Sequence, residues 1–312
     1  MSSVPVLTAQ DVERAVSPAA AVEAVRDAFI AHYRGEWTMP PKVYVTNYPA
    51  GDFRAMPALG AGHALLKWVT SFPGNPAFGL PTVSGVVLVS NAETGELEAV
   101  LEAGAVTALR TGAAAVLAAE TLGRSDATSA AVIGAGVNGR AAARTFAARG
   151  RAVAIWDLDA ARTEAAAEEI GATVPSSLAE ALAADLVVTV TPGHEVLLTE
   201  GSLQPGQHVS LMGADGPGKA EIAARELVRT RVFCDDWEQA SHGGELAHAV
   251  ELGLLGERDV GRIGAVLAGE AEGRQSNDEI TTFDSTGLAI QDLAIALAAL
   301  ANTPSDVAKI EL

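Results

Sequence analysis

The sequence of 312 residues holds a single cysteine, Cys234, which excludes an intrachain disulfide and any metal centre built on several thiolates. Its setting in Val232-Phe-Cys-Asp235 reads as a buried strand, so a reactive thiol is not expected there. Positive charge is also scarce: four lysines (42, 67, 219 and 309) and seventeen arginines face 39 acids, for a formal charge of −18. That balance argues against nucleic acid or an anionic membrane as a partner, because both require a basic face. An anionic ligand must therefore meet positive charge gathered locally. No run of 18 uncharged apolar residues occurs, and no basic stretch followed by an apolar segment opens the chain, so neither a membrane span nor a signal peptide is expected and a cytoplasmic location is. The six histidines (His32, His63, His194, His208, His242, His248) show no close metal-ligand spacing, and His242-Gly-Gly-Glu245 lacks a second helical histidine, so no metal is expected. The GxSxG elbow of a serine hydrolase is missing as well.

The chain does hold 49% apolar residues, an ordinary share for a globular protein, and enough length for two domains. Its most informative stretch is Ala131-Val-Ile-Gly-Ala-Gly-Val-Asn-Gly-Arg140. Gly134 allows a tight bend, Gly136 lets the backbone approach a pyrophosphate, and Gly139 lets the next helix pack against the strand. The helix N-terminus then offers N–H groups and a positive dipole end. Such a turn alone is also a common plain connector, so its flanks matter. Thr128 to Ile133 reads as a buried strand, Val137 to Arg149 as an alanine-rich helix, and Ala152-Val-Ala-Ile-Trp156 as a second strand ending in Asp157, 23 positions after Gly134. A carboxylate there accepts hydrogen bonds from ribose hydroxyls and repels a 2′-phosphate, which predicts NAD over NADP; Asp159 follows, and no arginine comes before Arg162.

In chain order, residues 9 to 34 read as two helices, with Ala21, Val22, Val25, Phe29 and Ile30 near helical spacing. Short strands follow at 43–45, 51–56, 64–69, 82–90 and 97–101, separated by glycine, proline and asparagine turns. Thr107 to Leu122 reads as an alanine-rich helix. Beyond 128 the pattern alternates: helix 160–170, strand 172–174, helix 176–183, and strands 186–191, 208–212 and 231–234, with a final apolar helix at 287–301. This alternation predicts an α/β protein with a Rossmann-type doubly wound parallel sheet, joined to an α+β domain. The expected domains are 1–113, with 288–312 returning to it, and 114–287.

Three side chains stand out. Lys67 lies in an apolar strand, where it is either an edge lysine turned to water or a buried ammonium with a partner or a task. Arg54 is either solvated or a clamp for a carboxylate, whose geometry its planar fork matches. Asp215 follows the 208–212 strand in a Gly/Pro-rich turn, either as an Asx-turn residue or as a carboxylate at the ligand-binding end of a parallel sheet.

Met39-Pro-Pro-Lys-Val-Tyr44, Phe53-Arg-Ala-Met-Pro57, Leu66-Lys-Trp-Val69, Gly79-Leu-Pro-Thr-Val83, Leu109-Arg-Thr-Gly-Ala113, Gly213-Ala-Asp-Gly-Pro-Gly-Lys219 and Phe283-Asp-Ser-Thr-Gly287 together resemble the ornithine cyclodeaminase/mu-crystallin family, nearest to its archaeal-type alanine dehydrogenases. The resemblance spans nearly the whole chain. It implies an N-terminal domain that binds substrate and forms a homodimer, and an NAD-binding domain. It implies catalytic roles for Lys67 and Asp215, and substrate contacts from Arg54, Lys67, Arg110 and Thr286. Cofactor contacts would come from Thr82, Arg110, Thr111, Gly134, Gly136, Val137, Asn138, Gly139, Asp157, Thr191, Ala214, Lys219 and Ser285. Arg110 is expected to open its helical run, and Lys219 to touch cofactor or turn. The implied reaction is NAD-dependent oxidative deamination of a small L-amino acid, with L-alanine giving pyruvate and ammonia. Relatives make ornithine cyclodeamination, cyclic-imine reduction or non-catalytic binding of a small ligand the alternatives. Arg54 stands where the cyclodeaminases resemble a glutamate, which speaks against ornithine.

Overall fold

The computed structural model describes residues 3–193, 195–216 and 218–312, so His194 and Pro217 of the Gly213–Lys219 motif lie outside the described residues. Two compact units emerge, Met1–Arg110 with Leu288–Leu312, and Thr111–Gly287. The first opens with β1 (Ser3–Leu7), α1 (Ala9–Ala15) and α2 (Pro18–Tyr33), then β2 (Val43–Asn47), β3 (Gly51–Gly60), β4 (His63–Ser71), β5 (Val83–Asn91) and β6 (Leu97–Glu102). α3 (Ala103–Leu122) leads into the second unit. There the chain forms β7 (Ala130–Ile133), α4 (Val137–Ala148), β8 (Ala154–Trp156), α5 (Ala160–Ile170), α6 (Leu178–Leu182), β9 (Leu186–Thr189), β10 (His208–Leu211), α7 (Ala224–Leu227) and β11 (Arg231–Cys234). α8 (Trp237–Gly243), α9 (Leu246–Glu251), β12 (Val260–Arg262), α10 (Ile263–Leu267) and β13 (Thr281–Asp284) complete it, and α11 (Ala289–Ala301) and β14 (Ala308–Glu311) belong to the first unit again.

Among the described residues the first unit is built on a seven-stranded mixed sheet in the order β14-β1-β6-β5-β4-β3-β2. The β3–β4 hairpin turns through Ala61 and Gly62, both left-handed at φ 48° and 76°, as a two-residue turn that matches strand twist requires. That turn fixes the register, placing Lys67 opposite Met56 on one side and Val87 of β5 on the other. Met56, Leu65, Lys67, Val69, Val87 and Val89 therefore share one buried face. α11, apolar around most of its circumference, packs on β3, β4 and β5 and on α2. The opposite face leaves Leu66, Trp68 and Val86 more than a third exposed.

The second unit is a seven-stranded sheet in the order β12-β11-β13-β10-β9-β7-β8, with every neighbouring pair parallel. β8 and β9 lie on either side of β7, so the strand order reverses there, which is where open parallel sheets take ligands at their carboxyl ends. Fully parallel strands are buried on both faces, which is why 130–133, 186–189 and 208–211 read as continuous buried runs. Cys234 is fully buried on β11, and burial pushes its thiol well above the ordinary value.

Several elements depart from the sequence reading. α3 begins at Ala103 rather than near 107, because Glu102 accepts hydrogen bonds from the Gly104 and Ala105 N–H groups and caps it. Arg110 therefore lies two turns inside that helix and does not open it. Residues 172–174 make only a single bridge, Thr173 to Ala154, and no strand. α3 is also long and apolar enough to cross a bilayer by length and composition, with mean hydropathy 1.2, but 67% of that window is buried inside the protein, as in a core helix.

His208 is a buried core residue. Its Nε2 lies 3.0 Å from Ser210 Oγ and its Nδ1 2.9 Å from Thr281 Oγ1, and these hydroxyls also reach the Ala115 and Leu122 carbonyls. Burial, with Arg274 adding to it, lowers its pKa to about 3. The unfolded chain, with an ordinary value of 6.5, binds this proton first. The stability contributed by neutral His208 is therefore complete above pH 6.5 and lost as pH falls toward 3. Asp284, Glu221 and Glu245, all raised, act in the opposite sense, so the effect is read as a difference. Between pH 6 and 4 the stability of His208→Gln should gain on that of the native chain by up to about 1.4 kcal/mol per pH unit in urea titrations. Parallel pH profiles would assign the acid sensitivity elsewhere.

Candidate functional site

The glycine turn is tight. Gly134 is left-handed at φ 108°, and a Cβ on it would lie 2.8 Å from the Val190 carbonyl oxygen. At Gly139 a Cβ would lie 1.7 Å from the Gly134 carbonyl oxygen, so only glycine lets α4 start this close to the turn. Gly136 is different: nothing lies within 4 Å of its Cβ position, and it and Val137 are exposed at the N-terminus of α4. Bare backbone at a helix N-terminus is the feature that receives a pyrophosphate. Asn138 sits in the same first turn, half-buried. Asp157 ends β8, and its Oδ2 accepts from Ala135 N at 2.8 Å while Oδ1 accepts from Asp159 N at 3.0 Å. Arg162, distant in the linear reading, is brought back by the first turn of α5 to 3.7 Å from Asp157. It is also 3.8 Å from Asp159, so the local charge stays negative by one.

Thr191, Ala214, Asp215, Lys219, Ser285 and Thr286 all follow the carboxyl ends of β9, β10 or β13. Their placement depends on buried acids that the sequence reading missed. Glu221 accepts from Thr189 Oγ1, Thr191 N and Thr191 Oγ1, each at 2.7 Å, and from Gly213 N at 2.9 Å. It thereby ties the ends of β9 and β10 together. Burial pushes its carboxyl up against these four bonds. Glu245 accepts from Glu221 N and Ile222 N, and burial plus Glu221 raise it well above the ordinary carboxylate range. Asp235 accepts from Ser285 Oγ at 3.1 Å, Thr286 N at 2.8 Å and Gly287 N at 3.0 Å, which fixes the loop after β13. Asp284 beside it is raised to about 8 by burial and by Asp235. Asp215 is part-exposed and paired with Lys219 at 2.5 Å, so Lys219 is first of all the partner of that carboxylate. Ala214 is buried, and Thr111 is buried with its hydroxyl lacking a hydrogen-bond partner among the described residues.

The first unit gathers the other candidates. Lys67 is 2% exposed and does not face water. Its Nζ donates to Thr107 Oγ1 at 2.6 Å and to Asp292 Oδ1 at 3.0 Å. Arg110 Nε is 3.5 Å from the same Asp292 oxygen, and Arg110 Nη1 donates to Gln291 Oε1 at 3.4 Å. Burial lowers the Lys67 pKa; Asp292 opposes this, while Arg110 and Arg54 add to it. Arg54, two residues from Met56 on the same face, is held by Asp52 through Nε at 2.6 Å and Nη2 at 3.2 Å, and lies over the Tyr44 ring. Around this face three cations, Lys67, Arg54 and Arg110, meet two carboxylates, Asp52 and Asp292. Thr82, exposed just ahead of β5, is not part of this cluster.

Residues 3–303 match the family model described as the ornithine cyclodeaminase/mu-crystallin family. The chain belongs to this family. It is similar to an alanine dehydrogenase of Archaeoglobus fulgidus, at 42% identity over 93% of this chain and 92% of that protein. Among solved structures, an archaeal alanine dehydrogenase dimer with bound NAD superposes with a TM-score of 0.94 at 39% identity over the full length of both chains. A Thermococcus litoralis Δ1-pyrroline-2-carboxylate reductase, in complex with NADH and L-proline, gives a TM-score of 0.90 at 26% identity over 96% of this chain and 97% of the other. Family membership thus agrees with the α/β architecture and leaves several reactions within it.

The close approach at Gly139 yields a direct check. Gly139→Ala should displace α4 from the turn and weaken NADH binding by at least tenfold, about 1.4 kcal/mol, in a fluorescence titration. An unchanged Kd would mean that the turn tolerates the extra carbon and that its tightness is not needed for the ligand.

Proposed function

We propose that this protein is an NAD-dependent dehydrogenase of a small L-amino acid, with L-alanine the substrate and pyruvate and ammonia the products. The observation that carries this reading is the gathering of three cations, Lys67, Arg54 and Arg110, about one buried face of the first unit. Such a face suits a carboxylate ligand, whose geometry a guanidinium fork matches. The relative from Archaeoglobus fulgidus supports alanine as the amino acid. NAD, when bound, supplies the hydride acceptor. Lys67 holds the substrate carboxylate or carbonyl and stabilises the charge that develops at the imine. Asp215 takes a proton from the substrate ammonium and releases it to solvent, then takes one from the water that adds to the imine and returns it to the departing amine. Arg110 and Thr286 are assigned to substrate. The first unit, with boundaries near 1–113 and 288–312, would then be the substrate-binding and dimerising domain, and 114–287 the NAD-binding one.

The cofactor assignment rests on the glycine turn and Asp157, supported by the neighbours holding NAD or NADH. The remaining cofactor contacts, Thr82, Arg110, Thr111, Val137, Asn138, Thr191, Ala214, Lys219 and Ser285, are part of the same proposal. Ornithine would bring a second ammonium toward the Arg54 guanidinium, where like charges repel, which disfavours cyclodeamination. A ligand-binding protein without chemistry has no need of an acid–base carboxylate and a buried lysine together.

NADH formation, followed by absorbance with a panel of L-amino acids, tests the activity; reduction driven by L-alanine is expected, and turnover of only ornithine or a cyclic imine would overturn it. kcat/KM should favour NAD over NADP by at least tenfold, about 1.4 kcal/mol, because Asp157 and Asp159 outnumber Arg162. Asp215→Asn and Lys67→Met should each lower kcat by about 10²-fold or more while NADH binding, measured by fluorescence, persists. Full turnover in either variant would remove that residue from the mechanism.

We also propose a homodimer formed through the first unit's sheet. Leu66, Trp68 and Val86 line its open face, Val43 and Val45 are exposed on its edge strand, and the archaeal neighbour is a dimer. Light scattering at micromolar concentration should give twice the 31.8 kDa of one chain; the mass of a single chain would contradict it.

A further inference from the structure

α11 is apolar on nearly every side, yet it carries Gln291 and Asp292 in its first turn, both fully buried. Gln291 has a local task, since its Oε1 accepts from Leu288 N at 3.0 Å and closes the helix start. Asp292 has none. It caps nothing, and its Oδ2 has no hydrogen-bond partner among the described residues. A buried carboxylate with one oxygen unsatisfied costs several kcal/mol unless an opposite charge offsets it. That charge is on Lys67, 3.0 Å away, with Arg110 at 3.5 Å. A leucine or alanine would serve the packing of this helix at no such cost.

We propose that Asp292 is the positioning residue that keeps the Lys67 amine protonated and aimed. The charged groups around Lys67 are Asp292 from α11, Arg110 from α3, and Arg54 with its partner Asp52 from β3; Met56 and Val87 beside it are apolar. Without Asp292, a buried amine next to two guanidinium groups sheds its proton, because desolvation and like charge both disfavour the ammonium. The direction of the Lys67 shift agrees, with burial and the arginines lowering it and Asp292 opposing them. Orientation follows from the donors. Thr107 Oγ1 gives its own hydrogen to the Ala103 carbonyl, so it can only accept from Lys67. With Asp292 and Thr107 taking two of the three N–H groups, the third has no partner among the described residues and is left for a ligand oxygen. The catalytic use of that N–H rests on the dehydrogenase reading; the protonation state does not.

The chain has only four lysines, so protein labelled with carbon-13 at the lysine ε position gives a spectrum in which the Lys67 signal is assigned by its loss in Lys67→Met. In Asp292→Asn the Lys67 titration midpoint should fall by at least about one pH unit, a tenfold loss of proton affinity, while those of Lys42 and Lys309 stay in place. Asp292→Glu, which restores the charge, should return the midpoint toward that of the native chain, and it carries the comparison with Lys67 in native protein if the asparagine variant does not fold. A midpoint unchanged in Asp292→Asn, or a glutamate variant in which Lys67 titrates a full unit away from native, overturns the proposal. The alkaline limb of kcat/KM should move with the midpoint. A shifted midpoint in a protein that oxidises no amino acid would leave Asp292 in its role and remove the dehydrogenase reading instead.

Discussion

Burying one ammonium in the interior of a β-sheet is the constraint on which the first unit depends. In water Lys67 would need nothing; on the covered face of β4 it needs acceptors for its protons and a counter-charge within a few ångströms. The two-residue turn at Ala61–Gly62 sets which face Lys67 joins. α11 supplies the carboxylate and α3 the hydroxyl that receive it. Asp52 plays the matching part for Arg54 on the neighbouring strand. The result is a cluster of fixed cations on one buried face, and the proposed carboxylate site rests on it. In a chain with a formal charge of −18, such a concentration does not follow from composition.

The second unit solves a different problem by related means. Loops at the carboxyl ends of a parallel sheet lose the strand ladder and still must hold a ligand, so their backbone N–H groups need acceptors. Glu221, Glu245, Asp235 and Asp284 provide them from inside the protein, where side chains are more sharply placed than at the surface. Raised carboxyl pKa values are the cost of this arrangement. The glycine turn needs no such support, because its geometry is set by close contact of backbone with backbone at Gly134 and Gly139.

Legibility in the sequence follows the range of the forces involved. The β7–α4–β8 unit, its three glycines and Asp157 are encoded by neighbours along the chain, and the antiparallel strands from 43 to 102 by their turns; these were readable. So was Lys67, as a charged residue in an apolar strand. β1 and β14 were not, since β1 lies between β6 and the edge strand β14 and both of its pairings join residues far apart in the chain. The short helices between 224 and 267 carry too few turns for a periodicity. Asp292 and Glu221 were missed for the same physical reason: each acts on a partner distant in sequence, and within its own segment looks like a stray acid. The polar Gln291-Asp292 pair in an otherwise apolar helix was the one signal available. Arg162 was misjudged because a helical turn, not sequence distance, sets its separation from Asp157.

The central claim is that the cationic face around Lys67 holds an amino-acid carboxylate while hydride leaves the α-carbon. L-alanine deuterated at C2, incubated with NAD and the protein, tests it most directly by mass spectrometry of the reduced cofactor. The account predicts one deuterium in the cofactor for each pyruvate formed. Reduced cofactor without deuterium, or no reduction at all, would contradict it.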